Sequence, residues 1–402
     1  VDPNQPGCAF PSKHLAGVGV MFYLLLALRA ELRRRDPAGA AARAPLQRLL
    51  DLVALGTAAD LVRLDGNNRL LVAAGLQRIR AGAACAGVRA LLRIAGRDSR
   101  RVGSADLGFA VGPRINAAGR LADISLGIEC LVTDDEGRAA ELAAALDAMN
   151  RERRGIESAM RDEAIAALDA LPELGAGRKS VVLHREGWHE GVIGLVASRV
   201  KERVHRPTFA LAASSADPAT LRGSGRSIAG VHLRDVLDLV DKRAPGLLLR
   251  FGGHAMAAGL TLRADRLDEF ASLLEQAVDE FADPACFAAA LATDGPLAPD
   301  EIDLPLVDAI EAEVWGQGFA PPLFCDQFVV ARQSIVAGRH LKVELRATAG
   351  ARFDAIAFGR IEPLPSPARI AYRLMRDEYQ GLASVRLVIE AVESTVAAAH
   401  RA

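Results

Sequence analysis

Apolar and polar positions divide the chain into three textures. From Leu15 to about Glu136 the apolar residues recur at helical spacing, with Ala, Leu and Arg dominating and Gly or Asp at the breaks, so helix follows helix. The one long apolar run, Leu15 to Leu28, spans 14 residues and contains Gly17 and Gly19. It reads as a buried helix, short for a membrane span. Between Arg138 and Leu171, Leu142, Leu146, Met149, Ile156, Met160, Ala164 and Leu168 fall at spacings of three, four or seven, which predicts one long helix. Arg151, Glu152, Arg153 and Arg154 sit together in its middle and predict a solvated stretch, because buried charges need partners. The helix is expected to link two domains.

After Pro172-Glu173-Leu174-Gly175 strands and helices alternate. Ser180 to Leu183 and Thr208 to Leu211 read as strands, and Val192 to Val204, Leu233 to Lys242 and Asp265 to Asp279 as helices. Gly223-Ser224-Gly225-Arg226-Ser227 and Phe251-Gly252-Gly253-His254-Ala255 read as glycine-bearing interruptions of this α/β unit. Beyond Pro296 the pattern turns to strands: Gln327 to Ile335, His340 to Ala347, Phe353 to Phe358, Ala368 to Leu374 and Ser384 to Val392. Five strands with short turns predict a small β-barrel of the OB type, a scaffold that often takes single-stranded nucleic acid.

Composition narrows the function classes. Half of the 402 residues are hydrophobic and a quarter charged, which suits a soluble globular protein of two to four domains. Lys and Arg number 49 against 50 Asp and Glu, so any nucleic-acid contact must rest on local basic patches. The five cysteines are scattered without a CxxC pair, which fits a reducing compartment and excludes a cysteine zinc site. Arg29, Glu31 and the charges that follow exclude a signal peptide, so the cytoplasm is the expected location. The first residue is Val, and Asp2 to Gly7 reads as a mid-domain loop, so the chain is expected to be a fragment.

Several segments carry candidate chemistry. Asp60 ends the largely apolar stretch Leu50 to Val62, where metal ligation, a helix cap or a salt bridge would each give its carboxylate a partner. Arg114, Asn116 and Arg120 lie close together beside Gly112 and Gly119, and guanidinium forks match phosphate oxygens. A solvated arginine loop is the alternative. Ser224, Gly225, Arg226 and Ser227 offer amides, hydroxyls and one guanidinium, the inventory of an anion cradle or of a plain turn. Gly252, Gly253 and His254 fall among residues expected to be buried, where diglycine points to the close approach of a ligand or another backbone. His254 itself reads more readily as a packed, hydrogen-bonded residue than as a catalytic one. His189 lies where a strand gives way to a helix, a usual place for ligand-binding groups in α/β folds, with an aromatic cap by Trp188 as the alternative. In the third domain Phe319, His340, Lys342 and Tyr379 could stack on bases or contact phosphates.

Taken in order, these segments resemble the RecJ family of bacterial single-strand-specific 5′→3′ exonucleases, within the DHH/DHHA1 phosphoesterase superfamily. The matching stretches include Pro3-Asn4-Gln5-Pro6-Gly7, Leu55-Gly56-Thr57 with Ala59-Asp60, Gly112-Pro113-Arg114, Asn116 to Leu121, Gly223 to Ser227, Phe251 to His254, Trp315-Gly316 with Gly318-Phe319, and His340-Leu341-Lys342. The resemblance implies the C-terminal part of a DHH domain over 1–137, a linking helix over 138–172, a DHHA1 domain over 173–288 and an OB-fold over 289–395. It also implies two Mn²⁺ or Mg²⁺ ions, of whose ligands this chain holds only Asp60, with the others expected before Val1. Asp60 and His254 become the expected catalytic residues. Asn116, Arg120, His189, Ser224 to Ser227 and Gly252 to His254, with Arg114, become the expected phosphate and DNA contacts. The implied function is exonucleolysis of single-stranded DNA in repair and recombination, with this chain alone inactive. A single-strand-binding protein and a helicase are the implied partners, and a monomer is expected. The rival readings are a DHH/DHHA1 phosphodiesterase of short oligonucleotides or cyclic dinucleotides, and a noncatalytic DNA-binding relative. Two positions depart from the family pattern: Asp377 stands where Asn is expected, and Val385-Arg386-Leu387 is more polar than usual.

Overall fold

The computed structural model describes residues 2–121, 123–169, 177–288, 290–348 and 350–393, without the side chains of Leu121, Ile165, Ala167, Leu168, Asp169 and Tyr379. Helices α1 (Gly17–Arg35), α2 (Leu50–Ala59), α3 (Gly66–Arg80), α4 (Ala86–Ile94), α5 (Gly112–Leu121), α6 (Ser125–Val132) and α7 (Glu136–Asp169) come first. Then follow β1 (Val181–His184), α8 (Ile193–Val204), β2 (Thr208–Ala213), β3 (Thr220–Arg226), α9 (Leu233–Arg243), β4 (Leu248–Gly253), β5 (Ala257–Arg263) and α10 (Leu267–Phe281). The chain ends in α11 (Leu304–Ala312), β6 (Phe324–Val336), β7 (His340–Ala347), β8 (Arg352–Ala357), β9 (Ala368–Tyr379) and β10 (Leu382–Glu393). They form two compact units, one of residues 1–113, 134–136 and 291–402, the other of 114–133 and 137–290.

In the first unit a helical part and a barrel share one body. The barrel closes in the order β10-β8-β7-β6-β9, as the expected five strands require. Leu64 N–H donates to Gln317 O at 2.7 Å, Ser104 Oγ to Trp315 O at 2.6 Å, and Arg69 pairs with Glu313, so the segment before the barrel is tied to the helices. The run from Leu15 is not a buried helix. Leu15, Val18, Tyr23 and Leu26 pack around Phe22, Val53 and Leu71, while Met21, Leu24 and Leu28 are exposed. An unbroken apolar run has no polar face to mark which side packs, so its pattern could not show this. Among the described residues no helix is long and apolar enough to cross a membrane.

The second unit is built on a sheet of order β1-β2-β3-β5-β4. Only β1 and β2 are parallel, joined through α8. One face is covered by α9 and α10, whose Val236, Leu237, Phe270 and Leu274 pack on Phe209, Leu221, Leu260 and Leu262. The other face is covered by α8 and the C-terminal half of α7, through Val196, Val200, Met160 and Ala164, against Val181, Leu183, Ala210 and Ala212. That second cover rests on the β1–β2 side. The expected helix from Arg138 is present within Glu136–Asp169, while its expected end at Leu171 and the break at Pro172 to Gly175 lie outside the described residues. Its charged middle is not wholly solvated. Arg153 is buried, with Nη1 2.7 Å from Glu157 and Nη2 3.0 Å from Asn150, which is how most of a charge inside a helix face survives loss of water, although its Nε has no partner among the described residues.

Most of both glycine-bearing segments is strand: Gly223 to Arg226 belong to β3 and Phe251 to Gly253 to β4, while Ser227, His254 and Ala255 lie just beyond the strand ends. Gly223 and Gly225 point into the α9/α10 core, where a Cβ on Gly225 would lie 2.5 Å from the Phe209 ring and 2.7 Å from Leu233. Glycine here makes room for a phenyl ring. Gly225→Ala is therefore expected to destabilise the unit by about 1–3 kcal/mol through overpacking, read as a lowered urea midpoint. A midpoint equal to the parent's would mean that Phe209 gives way without strain.

Candidate functional site

Alternation along β3 does more than fill the core. With Leu221, Gly223 and Gly225 turned inward, Arg222, Ser224 and Arg226 share the opposite face. Pairing puts Gly259 beside Ser224 and Gly252 beside Gly259, so the floor next to the arginines carries no side chains. The result is a cleft of about 670 Å³ whose walls include Arg120, His189, Ser224, Arg226 and Gly252 from the expected set. Arg222, Arg250, Glu190, Gly191, Gly194 and Thr261 line it too, and the sequence reading missed them. The period-2 parity of Arg222 with Ser224 and Arg226 was the signal that could have found the first of these.

The centre of the cleft is built to meet an anion. Arg226 Nη1 donates to Ser224 Oγ at 3.1 Å and to Gly225 O at 2.8 Å, and among the described residues no acid pairs with it. Arg120, near the end of α5, donates Nη1 to Gly191 O at 2.9 Å. The start of α8 has no side-chain cap, and although Leu195 N–H donates to Val192 O at 2.8 Å, the Ile193 and Gly194 amides and the positive dipole end are left to face a ligand. A Cβ on Gly194, in that first turn, would sit 2.9 Å from both Arg226 Nη2 and Ser224 Oγ. Glycine lets the helix end come down on the guanidinium. Although Arg120 keeps an exposed flank, loss of hydration and then the neighbouring Arg153 hold its guanidinium below the ordinary value. Loss of hydration and then Arg120 do the same to Arg226. Two guanidiniums that have lost water, with no carboxylate paired to either among the described residues, are stabilised when an anion joins them.

Other expected contacts are placed differently. Arg114 is buried, with Nε and Nη2 both 2.9 Å from Asp147 Oδ1, so its fork is occupied by α7. Ser227 is buried and donates to Val231 O at 2.7 Å. Gly225 faces the core, as described. Asn116 is exposed one turn before Arg120, outside the cleft lining. Gly253 and His254 are exposed where β4 turns into β5, with His254 N–H donating to Ala257 O at 2.8 Å. A Cβ on Gly253, at φ +145°, would lie 2.4 Å from Ala257 O, so the partner strand's backbone accounts for this glycine. His189 Nδ1 accepts from Gly191 N–H at 3.1 Å and shapes the turn into α8, while Trp188 is buried and donates to Glu163.

In the first unit, Asp60 is the exposed C-cap residue of α2. Its carboxylate stands at the negative end of the helix dipole, a position that costs stability and therefore suits a cation ligand better than a cap. Among the described residues no group of three or more His, Cys, Asp or Glu could hold a metal ion, so Asp60 stands as a single carboxylate ligand with no others assembled around it. On the barrel, Phe319 is sandwiched between the stacked Trp315 ring, 5.0 Å away, and the Arg69 guanidinium 3.8 Å from its centre. Both faces are taken, so it is no platform for a base. His340 accepts from Gly359 N–H at 2.9 Å. Lys342 is exposed on the outer wall, and Tyr379 ends β9 with its side chain outside the described residues. The two departures from the family pattern meet: Arg386 forms an ion pair with Asp377 across β9 and β10.

Comparison with known proteins places these features. Residues 177–280 match the DHHA1 domain family and residues 293–391 the RecJ OB domain family. The chain is 47% identical over 407 residues to the single-stranded-DNA-specific exonuclease RecJ of Dickeya dadantii (strain 3937), covering 97% of this chain and 69% of that protein. Crystal structures of RecJ from Thermus thermophilus superpose with TM-scores of 0.77 in complex with Mg²⁺ and 0.78 in complex with Mn²⁺, both at 29% identity. These alignments cover 96% and 97% of this chain, and 57% and 54% of the respective Thermus chains.

Proposed function

The chain belongs to the RecJ family of single-stranded-DNA-specific exonucleases, and from that premise we propose that it serves a hydrolase degrading single-stranded DNA from the 5′ end, in repair and recombination. The observation that carries the proposal is Arg226, a guanidinium without an acid partner among the described residues, set with Ser224 and Arg120 against the uncapped start of α8. These groups hold the phosphoryl group at the strand's 5′ end, and the glycine floor leaves space for the nucleoside attached to it. Asp60 is the proposed ligand that this chain offers to Mn²⁺ or Mg²⁺, ions that activate water for attack on phosphorus. The remaining ligands of a two-ion centre are not assembled among the described residues. Lys342 and His340 on the barrel are proposed contacts for the strand's backbone. The closed barrel over 324–393 counts against an enzyme of short oligonucleotides or cyclic dinucleotides, which would have less use for a third domain. A single-strand-binding protein and a helicase are the proposed partners, with a monomeric state and a cytoplasmic location.

The test fuses the chain to the part of the Dickeya relative that it does not match. The fusion is expected to release nucleotides from the 5′ end of a single strand in a Mn²⁺-dependent manner and to spare blunt duplex. Equal digestion of both substrates would refute the proposal. No digestion by a folded, metal-binding fusion would favour the noncatalytic relative.

A further inference from the structure

The anion pocket around Arg226 and Ser224 occupies one end of the cleft, and two residues beyond Ser224 along β3 the same face carries a second cationic set. β5 lies between β3 and β4, and its Thr261 stands opposite Arg222 on one neighbour and Arg250 on the other. Neighbouring strands lie about 4.8 Å apart, so the two arginines start about 10 Å from each other and can close over Thr261 from both sides. Arg250 has no partner among the described residues. Arg222 has Glu190, with Nη1 3.3 Å from Oε2, the one carboxylate that lines the cleft among the described residues. Ser215 and then Arg222 keep Glu190 below the usual carboxylate range, so among the described residues four arginines of the cleft face a single negative charge.

Between the two cationic sets the floor is bare backbone. A Cβ on Gly252 would meet nothing within 4 Å, and one on Gly259 only Gly223 O at 3.8 Å. Charge at two ends with an uncharged, flat stretch between them describes a ligand with phosphoryl groups at two points and a ring system joining them. From Ser224 to Arg222 is about 7 Å along the strand, wider than the single-oxygen bridge of a pyrophosphate. We infer that Arg222, Thr261 and Arg250 form a second phosphoryl-binding position, so that the cleft holds one nucleotide of a strand through the phosphoryl groups on both its 5′ and 3′ sides. This rests on the reading of Arg226 and Ser224 as the first position.

The test titrates the 402-residue chain at low salt with thymidine 5′-monophosphate, thymidine 5′-diphosphate and thymidine 3′,5′-bisphosphate. The bisphosphate is expected to bind about tenfold more tightly than the monophosphate, from one further set of charge-assisted hydrogen bonds. Arg250→Ala and Arg222→Ala should each bring the ratio of the two affinities to about one. Both side chains are exposed, so neither truncation opens a core. A gain for the diphosphate but not the bisphosphate would put the second group beyond the 5′ end and overturn the strand assignment. A ratio of one in the parent chain, or a ratio unmoved by both variants, would overturn the second position while leaving the first intact. A monophosphate affinity unmoved by Arg226→Ala would instead remove the first.

Discussion

Arg226→Ala is expected to lower the affinity of the chain for a 5′-phosphorylated single strand about fiftyfold at low salt. A hydrogen bond to a charged group contributes about 1.5–3 kcal/mol, and each 1.4 kcal/mol is a factor of ten. Arg226 is preorganised by Ser224 Oγ and Gly225 O, so little of its binding free energy goes into ordering the side chain. Because it has no acid partner among the described residues and stands beside Arg120, its removal relieves repulsion, and the melting temperature should hold or rise. This separates a binding role from a structural one. A 5′-hydroxyl strand should lose much less affinity, and the difference between parent and variant should shrink as salt rises, since fewer counterions are released on binding. Arg226→Lys should fall between, keeping the charge but not the fork. Equal affinity of parent and variant for the phosphorylated strand at low salt would sink the pocket.

Asp147→Ala should lower the stability of the second unit by about 3–5 kcal/mol, read from urea unfolding. It removes the carboxylate that receives both Nε and Nη2 of Arg114 in a buried site, leaving a guanidinium stripped of water and short of the acceptor that binds two of its nitrogens. Asp147→Asn keeps an acceptor and should lose less. The double replacement Arg114→Met with Asp147→Leu should lose less than Asp147→Ala alone, because no charge is then left buried. A double mutant as unstable as Asp147→Ala would show that packing, not charge, is what the pair supplies. The pair also anchors α5 to α7, and α5 carries Arg120 to the cleft. The same variant therefore tests whether the pocket depends on that anchor.

The five barrel strands, the long helix and the alternation of strand and helix in the second unit were legible, because each rests on a hydrophobic period that the fold keeps. Gly223 to Ser227 was legible as chemistry but not as structure. Glycine at two alternate positions looks like a turn, and nothing local announces that Phe209 and Leu233 will occupy the space those side chains give up. Arg114 and Arg120 looked equivalent on the page, six residues apart. Only the partner Asp147, distant in sequence, separates a structural fork from a free one. Arg250 was invisible for the same reason, since its relation to Arg222 runs through Thr261 on a strand that comes between them in space and not in sequence. Phe319 failed because a stacking face can be used up from within, here by Trp315 and Arg69.

The bond between Asp377 and Arg386 makes two neighbouring strands of the barrel a single heritable unit. Grafting β9 from a relative that carries asparagine there, without its β10, would strand a lone guanidinium on the barrel wall. The reverse graft would strand a carboxylate. In any chimaera of this domain the hairpin has to travel whole, and a junction placed at the Gln380-Gly381 turn is the cut to avoid.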